Sequence, residues 1–83
     1  MASLEYPIAT EKALGIVDRE NTITYMVKLN SSKSEIKKEF EETFKVKVER
    51  VNTVRTPDNM KRAYIKLKKE FPASEIVKRL KLI

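Results

Sequence analysis

The sequence predicts a small α+β domain, with helices packed on one face of a mixed sheet of three or four strands. Apolar residues recur at helical spacing in three segments, and three other segments alternate apolar and polar residues as strands do. Their order along the chain is α-β-α-β-β-α. Because 83 residues are the length of one small domain, we expect residues 1–83 to fold as a single unit.

The first predicted helix begins after Thr10, whose hydroxyl can accept a hydrogen bond from the first turn. It ends between Asp18 and Asn21. Its apolar stripe consists of Ala13, Leu14 and Val17. In the next segment, residues 22–29, apolar and polar residues alternate. One side of it carries Ile23, Tyr25, Val27 and Leu29. This alternation is typical of a strand with one buried face.

The second helix has clear signals at its start and along its face. Ser32 and Glu35 form the S-x-x-E pattern of a capping box. Ile36, Phe40 and Phe44 follow at intervals of four residues, which places them in one narrow apolar stripe. We therefore predict that this helix packs its stripe against the sheet.

A basic β-hairpin is predicted at residues 46–68. The Pro-Asp-Asn sequence at residues 57–59 favours a tight turn between its strands. Val51 is out of phase with the valines before it, which predicts a β-bulge near Glu49 and Arg50. Three residues of the second hairpin strand point inward: Ala63, Ile65 and Leu67. Four residues of this strand occupy the opposite, outer face: Arg62, Tyr64, Lys66 and Lys68.

A short final helix is indicated by Ile76, Val77, Leu80 and Ile83. The order of the elements also constrains the topology. The connection through the second helix should be right-handed and should return the chain parallel to the first strand. The last strand is then expected to lie between these two.

Positive charge is concentrated in the hairpin. Residues 45–69 hold nine Lys or Arg and two acids, a net charge of +7, whereas the whole chain carries +6. The remainder is close to neutral, so a polyanion is the expected partner. We predict RNA contacts from guanidinium groups, lysine charges and short neutral donors, namely Arg50, Arg55, Lys61, Lys66, Lys68, Asn52 and Thr53. Outward lysines also discourage edge-to-edge aggregation, and this simpler explanation stays open.

The aromatic content of the outer face indicates the kind of RNA. Tyr64 can stack on a base or pack across the strands. A sheet of the RNA-recognition-motif type needs two or three such aromatic residues and a glycine-aromatic signature, and the sequence contains neither. We therefore expect structured RNA that is held by its backbone and shape, rather than bases read one by one.

Composition disfavours catalysis, metal binding and membrane insertion. The sequence contains no Cys and no His, which removes thiolate ligands and the usual base near neutral pH. Neighbouring glutamates on the second helix are interpreted as solvated surface rather than as an acid–base pair. No apolar run approaches the ~18 residues of a membrane span, and the first residues lack a secretory pattern. We expect a cytoplasmic protein that is not an enzyme, with no cofactor and no small-molecule substrate.

Three blocks of the sequence resemble the universal ribosomal protein twenty-three family of the large subunit. They are P-I-A-T-E-K-A at residues 7–13, the segment 44–53 that ends in V-N-T, and K-R-A-Y-I-K-L at residues 61–67. The resemblance runs from about Pro7 to Leu80, and the short turn between the last strands is similar to the archaeal form. It implies a small α/β sandwich that binds large-subunit rRNA beside the nascent-peptide tunnel exit, next to other ribosomal proteins.

Further roles for individual residues come from this resemblance. It implies rRNA contacts for Thr10, Lys12, Asn52, Thr53, Lys61 and Arg62. Glu11 matches the exposed acid of the P-x-x-[ST]-E-K motif, where bacterial relatives dock a ribosome-associated chaperone. In an archaeal-type protein the expected visitor is instead the signal recognition particle or another nascent-chain factor. The same three residues, Thr10, Glu11 and Lys12, also fit a simple helix start.

The combined prediction is a structural constituent of the large ribosomal subunit, located on the ribosome in the cytoplasm. Three alternatives stay open: an extra-ribosomal RNA-binding module, a protein-interaction adaptor that uses the same hairpin, and a small acyl-phosphate hydrolase. The hydrolase is difficult to build without a histidine or a glycine-rich anion loop.

Overall fold

The computed structural model describes residues 3–80. The elements follow the chain in the order β1 (Leu4–Pro7), α1 (Glu11–Glu20), β2 (Thr22–Val27), α2 (Lys33–Phe44), β3 (Val48–Arg55), β4 (Lys61–Leu67) and α3 (Ala73–Arg79). The predicted fold class is confirmed, and so is the predicted order of the last six elements. β1 was missed because none of its four residues is fully buried, so no alternation reveals it.

The four strands form one sheet in the spatial order β1-β2-β4-β3. Each hydrogen-bonded pair is antiparallel. β2 and β3 run parallel to each other with β4 between them, as the crossover through α2 predicts. The sheet is thus antiparallel rather than mixed, because the two parallel strands are not neighbours.

α2 and α3 cover one face of the sheet and form the core with it. The α2 stripe of Ile36, Phe40 and Phe44 is buried as predicted, and α3 adds Ala73, Ile76 and Val77. We call the opposite side of the sheet the outer face. Ile83 of the predicted final stripe lies outside the described residues.

The start of α2 has the predicted capping box. The Ser32 hydroxyl accepts a hydrogen bond from the Glu35 N–H at 3.1 Å, and the Glu35 carboxylate accepts one from the Ser32 N–H at 2.9 Å. The Ser32 backbone N–H, and after it the Ser32 hydroxyl, lower the pKa of Glu35 because they stabilise its charged form. These reciprocal bonds fix the point at which the chain enters the helix.

β2 is buried on both faces, so the prediction of a half-buried strand is wrong. It ends at Val27, which leaves Leu29 outside it. Thr24 and Met26, on the outer face, are only 3% and 5% exposed. α1 and the end of the hairpin border this part of the outer face. Alternation reveals which side chains are apolar, but it does not reveal an element that later covers the other side.

The hairpin has the predicted turn and the predicted bulge. The pairing of β3 with β4 shifts register between Val48 and Arg50. At the tip, the Thr56 N–H donates to the Met60 carbonyl at 2.8 Å, and Asn59 is left-handed with φ 62°. Asparagine tolerates this conformation better than most residues, so the sequence encodes the tight reversal.

Asn21 joins three elements at one end of the sheet. It ends α1 with a left-handed backbone conformation, φ 51°. This is the conformation in which glycine most often ends a helix. Its side-chain amide donates to the carbonyls of Leu67 at 3.1 Å, Lys68 at 3.3 Å and Phe71 at 3.1 Å. Its side-chain oxygen accepts the Ala73 N–H, at the first residue of α3, at 2.6 Å.

Replacing Asn21 tests the energetic weight of this junction. We expect Asn21→Gly to lower the free energy of unfolding by about 2 kcal/mol, because it removes the side-chain bonds but keeps the left-handed cap. Asn21→Ala should cost about 1 kcal/mol more, because alanine is strained in the left-handed region. Urea titrations of both variants measure the difference. An Asn21→Gly variant as stable as the unchanged protein would show that the junction contributes nothing.

Candidate nucleic-acid interface

The pairing of β4 with its neighbours sorts the predicted RNA-binding residues into two groups. Val51 pairs with Ile65 and Thr53 with Ala63, so these positions lie on the helix side. Asn52 pairs with Tyr64 on the opposite side. Directly paired residues share a face of the sheet, and successive residues along a strand point to opposite faces. The candidate residues of the hairpin are therefore not on one surface.

The outer face carries the larger group. Arg50 pairs with Lys66 on it, and Arg62 lies beyond Tyr64 along β4. Together with Asn52, these residues line two adjoining cavities on this face. We define the outer-face cluster as Arg50, Asn52, Arg62, Tyr64 and Lys66. It combines positive charge, an amide and one aromatic ring, which are the groups that contact phosphate, sugar and base.

The second group lies on the helix side, near the hairpin tip. Arg55 pairs there with Lys61, and Thr53 is on the same side. The Lys61 ammonium donates to the Ser31 carbonyl at 2.5 Å, which ties the tip end of the hairpin to the loop before α2. Arg55 is exposed. The structure therefore gives Lys61 an internal partner and separates this group from the outer-face cluster.

Lys68 follows β4 and is exposed. Its backbone N–H donates to the Lys47 carbonyl at 3.1 Å, so its position is fixed by the end of the hairpin. It belongs to neither group.

The three N-terminal candidates lie at the start of α1, beside the outer face. The Thr10 hydroxyl accepts the Ala13 N–H at 3.2 Å, so the predicted helix cap is confirmed. Glu11 and Lys12 are exposed in the first turn. All three line the cavity between α1 and the outer face, which we call the outer groove. The predicted docking residue Glu11 is thus adjacent to the predicted RNA surface.

Two residues of the outer groove were missed in the sequence. Arg19 reaches it from the last turn of α1, and Thr24 lines it from β2. No local sequence pattern marks either residue as part of a site. Arg19 has the pattern of a solvent-exposed helix residue, and Thr24 is one polar position of an alternating strand. Ile16 also lines the groove. It lies outside the apolar stripe that the sequence suggested for α1.

The cations of the outer face have few acidic partners. Within residues 3–80, ion pairing is confined to Lys66 and Glu49, whose charged atoms lie 3.8 Å apart. Both side chains are substantially exposed, and such surface pairs contribute at most about 1 kcal/mol. Arg50 and Arg62 therefore remain available to an anionic partner.

The described residues offer little for other chemistry. In residues 3–80 there is no group of three or more His, Cys, Asp or Glu side chains that could hold a metal ion. Within the same range, no helix combines the length and the apolar character that crossing a bilayer requires.

Comparison with known proteins identifies the family. A family model described as Ribosomal protein L23 matches residues 3–74. The chain belongs to the ribosomal protein L23 family. One relative, the large ribosomal subunit protein uL23 of Methanothermobacter thermautotrophicus, is 46% identical over 74 residues, which make up 89% of this chain and 86% of that protein. This archaeal relative agrees with the archaeal-like form indicated by the short hairpin turn.

Membership in the L23 family supports a structural role in the large ribosomal subunit. The predicted location on the ribosome in the cytoplasm is confirmed by the same relationship. The family implies rRNA and other ribosomal proteins as partners, and it implies a role without catalysis.

Proposed function

We propose that this L23 family member binds large-subunit rRNA mainly through the outer-face cluster. The observation that carries this proposal is that Arg50, Arg62 and Lys66 lie on one side of the sheet, opposite α2 and α3. Arginine makes forked contacts to phosphate oxygens, and lysine acts as a point charge. The backbone pairing of β3 with β4 sets the positions from which these side chains extend.

The helix-side group contributes less. Lys61 is engaged with the Ser31 carbonyl, and Thr53 lies partly covered on the helix side. Arg55 extends from the end of β3 and can reach a phosphate beside the hairpin tip. If the complex neutralises about six phosphates in all, the logarithm of the affinity should fall with the logarithm of the salt concentration at a slope of roughly 4 to 5 in magnitude.

The proposed position beside the nascent-peptide tunnel exit rests on the family resemblance. There the exposed start of α1 is proposed to receive targeting factors, with Glu11 as the acidic contact and the signal recognition particle as the expected visitor. No catalytic step is part of this function. The whole chain, residues 1–83, is proposed to act as one rRNA-binding domain.

Co-sedimentation with large ribosomal subunits tests the proposed function. We expect the protein to stay with the subunit through a high-salt wash, because a structural component is held by many simultaneous contacts. An extra-ribosomal RNA-binding module or an adaptor for acidic proteins would be released at modest salt, since a few exposed charges are readily screened. Release at modest salt would contradict the proposal.

Charge reversal at Glu11 tests the docking role separately. Glu11→Lys is expected to weaken binding of the signal recognition particle to reconstituted subunits several-fold. The variant loses a carboxylate at the edge of the proposed contact, and the new lysine repels the positive groups that this carboxylate attracted. The matched control is Glu42→Lys, which makes the same change at an exposed position of α2. Subunit incorporation should be retained in both variants. Unchanged factor binding with Glu11→Lys would exclude this acid as a contact.

A further inference from the structure

The outer groove has the size and the lining of a ligand site. Its volume is about 590 Å³, within the range of about 300–1,000 Å³ typical of small-molecule sites. Its floor is formed by outer-face residues of β2 and β4. Its wall is α1, which contributes Ala13 and Ile16 together with the charged side chains of Glu11, Lys12 and Arg19. Apolar and charged side chains side by side suit a flat group with polar edges and a charged backbone.

Two polar atoms on the floor lack partners. Thr24 Oγ1 and Arg62 Nε are inaccessible to solvent and make no hydrogen bond within the described part of the chain. Thr24 is only 3% exposed. The two residues are diagonal neighbours on the outer face, since Thr24 pairs with Tyr64 and Arg62 pairs with Met26. Buried polar groups are nearly always paired in native proteins, so this pair indicates a missing ligand.

Tyr64 separates cations on its two sides. It lines the outer groove with Arg19 and Arg62, and it also lines the adjoining cavity with Arg50 and Lys66. An aromatic ring between two groups of cations matches a nucleotide chain, in which a base lies between phosphates. Base stacking on aromatic side chains and electrostatic contact with the backbone are the usual means of holding single-stranded RNA.

We infer that the outer groove holds one unstacked nucleotide of a bulged or single-stranded RNA segment. This inference rests on the proposed rRNA-binding function and adds the structural class of RNA that the site takes. The base lies against the Tyr64 ring, and the flanking phosphates meet the cations on either side. The Arg62 Nε–H donates to an acceptor of this nucleotide, and the Thr24 hydroxyl gains a partner from the same group.

Binding of two RNA probes tests the inference. The probes are a single-stranded octanucleotide and a blunt-ended RNA duplex, compared at equal phosphate concentration and both followed by fluorescence anisotropy. Tyr64→Leu is expected to weaken octanucleotide binding by about 5- to 150-fold and to change duplex binding little. The dependence of the variant's octanucleotide affinity on salt concentration should be unaltered, because the substitution removes no charge. Tyr64→Phe keeps the ring and should restore the affinity, so it is the matched control.

A second measurement does not depend on a substitution. The Arg62 Nε–H resonance of the unchanged protein should shift when the octanucleotide is added, as the orphaned donor gains an acceptor. Equal losses of octanucleotide and duplex binding in Tyr64→Leu would overturn the inference, as would a glutamate-rich peptide that displaces the octanucleotide equally well. If Tyr64→Leu loses nothing while the protein still binds large-subunit rRNA, the inference fails and the proposed function stands. Absence of rRNA binding by the unchanged protein would overturn both.

Discussion

Replacing both Arg50 and Arg62 by alanine is expected to weaken binding to large-subunit rRNA by at least roughly 100-fold. Each guanidinium group is proposed to donate to phosphate, and a hydrogen bond to a charged group contributes about 1.5–3 kcal/mol. The salt dependence should become shallower by about 1.4–1.8, because two fewer phosphates are neutralised. Titrations of naked large-subunit rRNA at a series of salt concentrations measure both quantities.

The control for this pair removes the same charge from another surface. Lys37 and Lys38 are exposed on α2, on the opposite side of the sheet from the outer-face cluster. Lys37→Ala with Lys38→Ala should change affinity and salt slope far less than the arginine pair. Arg55→Ala alone is expected to have an intermediate effect, because it lies at the hairpin tip on the helix side. Equal effects of the lysine and arginine pairs would show that net charge, and not the outer face, governs binding.

Phe40→Ala is expected to lower the free energy of unfolding by about 3–5 kcal/mol. Phe40 is completely buried, its ring centroid lies 4.5 Å from that of Phe44, and it meets Tyr25 edge-on at 6.3 Å. Truncation removes these contacts and leaves a cavity between α2 and the sheet. Small domains have little stability to lose, so the midpoint of thermal unfolding should fall by more than about 10 °C.

Val54→Ala serves as the control for the core change. Val54 is 51% exposed on β3, so its truncation should alter stability by no more than about 0.5 kcal/mol. Calorimetry of the free proteins gives both values. Large-subunit rRNA should partly restore the melting temperature of Phe40→Ala, since a ligand that binds the folded state stabilises it. A loss below about 1 kcal/mol for Phe40→Ala would show that the α2 stripe does not anchor the core.

Local chemistry made much of the fold predictable. Ser32 with Glu35 marked the start of α2, and Asn59 marked the turn of the hairpin, because each residue type satisfies a specific backbone need. The phase change at Val51 located the bulge because one extra residue in a strand shifts the alternation of inward side chains. β1 and the covered outer side of β2 could not be predicted, since both depend on contacts between segments that are distant in sequence.

The candidate site was predictable as a charge concentration and only in part as a surface. Alternation along the second hairpin strand placed Arg62 on the outer face, yet the predicted RNA contacts also included Arg55 and Lys61, which lie on the helix side. Separating these two groups requires the strand register and the position of the helices. Arg19 and Thr24 both line the outer groove because α1 lies beside β2. The spacing of residues in the sequence does not predict this contact between the two elements. The hairpin supplies the charge, whereas α1 completes the groove.

Directed hydroxyl-radical cleavage from single positions tests most directly whether the outer face meets rRNA. The sequence contains no Cys, so one introduced cysteine can carry an iron chelate without competing sites. Asn52→Cys places the probe on the outer face, and Lys38→Cys places it on the exposed surface of α2. We expect strong, localised cuts in large-subunit rRNA from position 52 and weak cuts from position 38. Strong cuts from position 38 with none from position 52 would contradict the proposed interface.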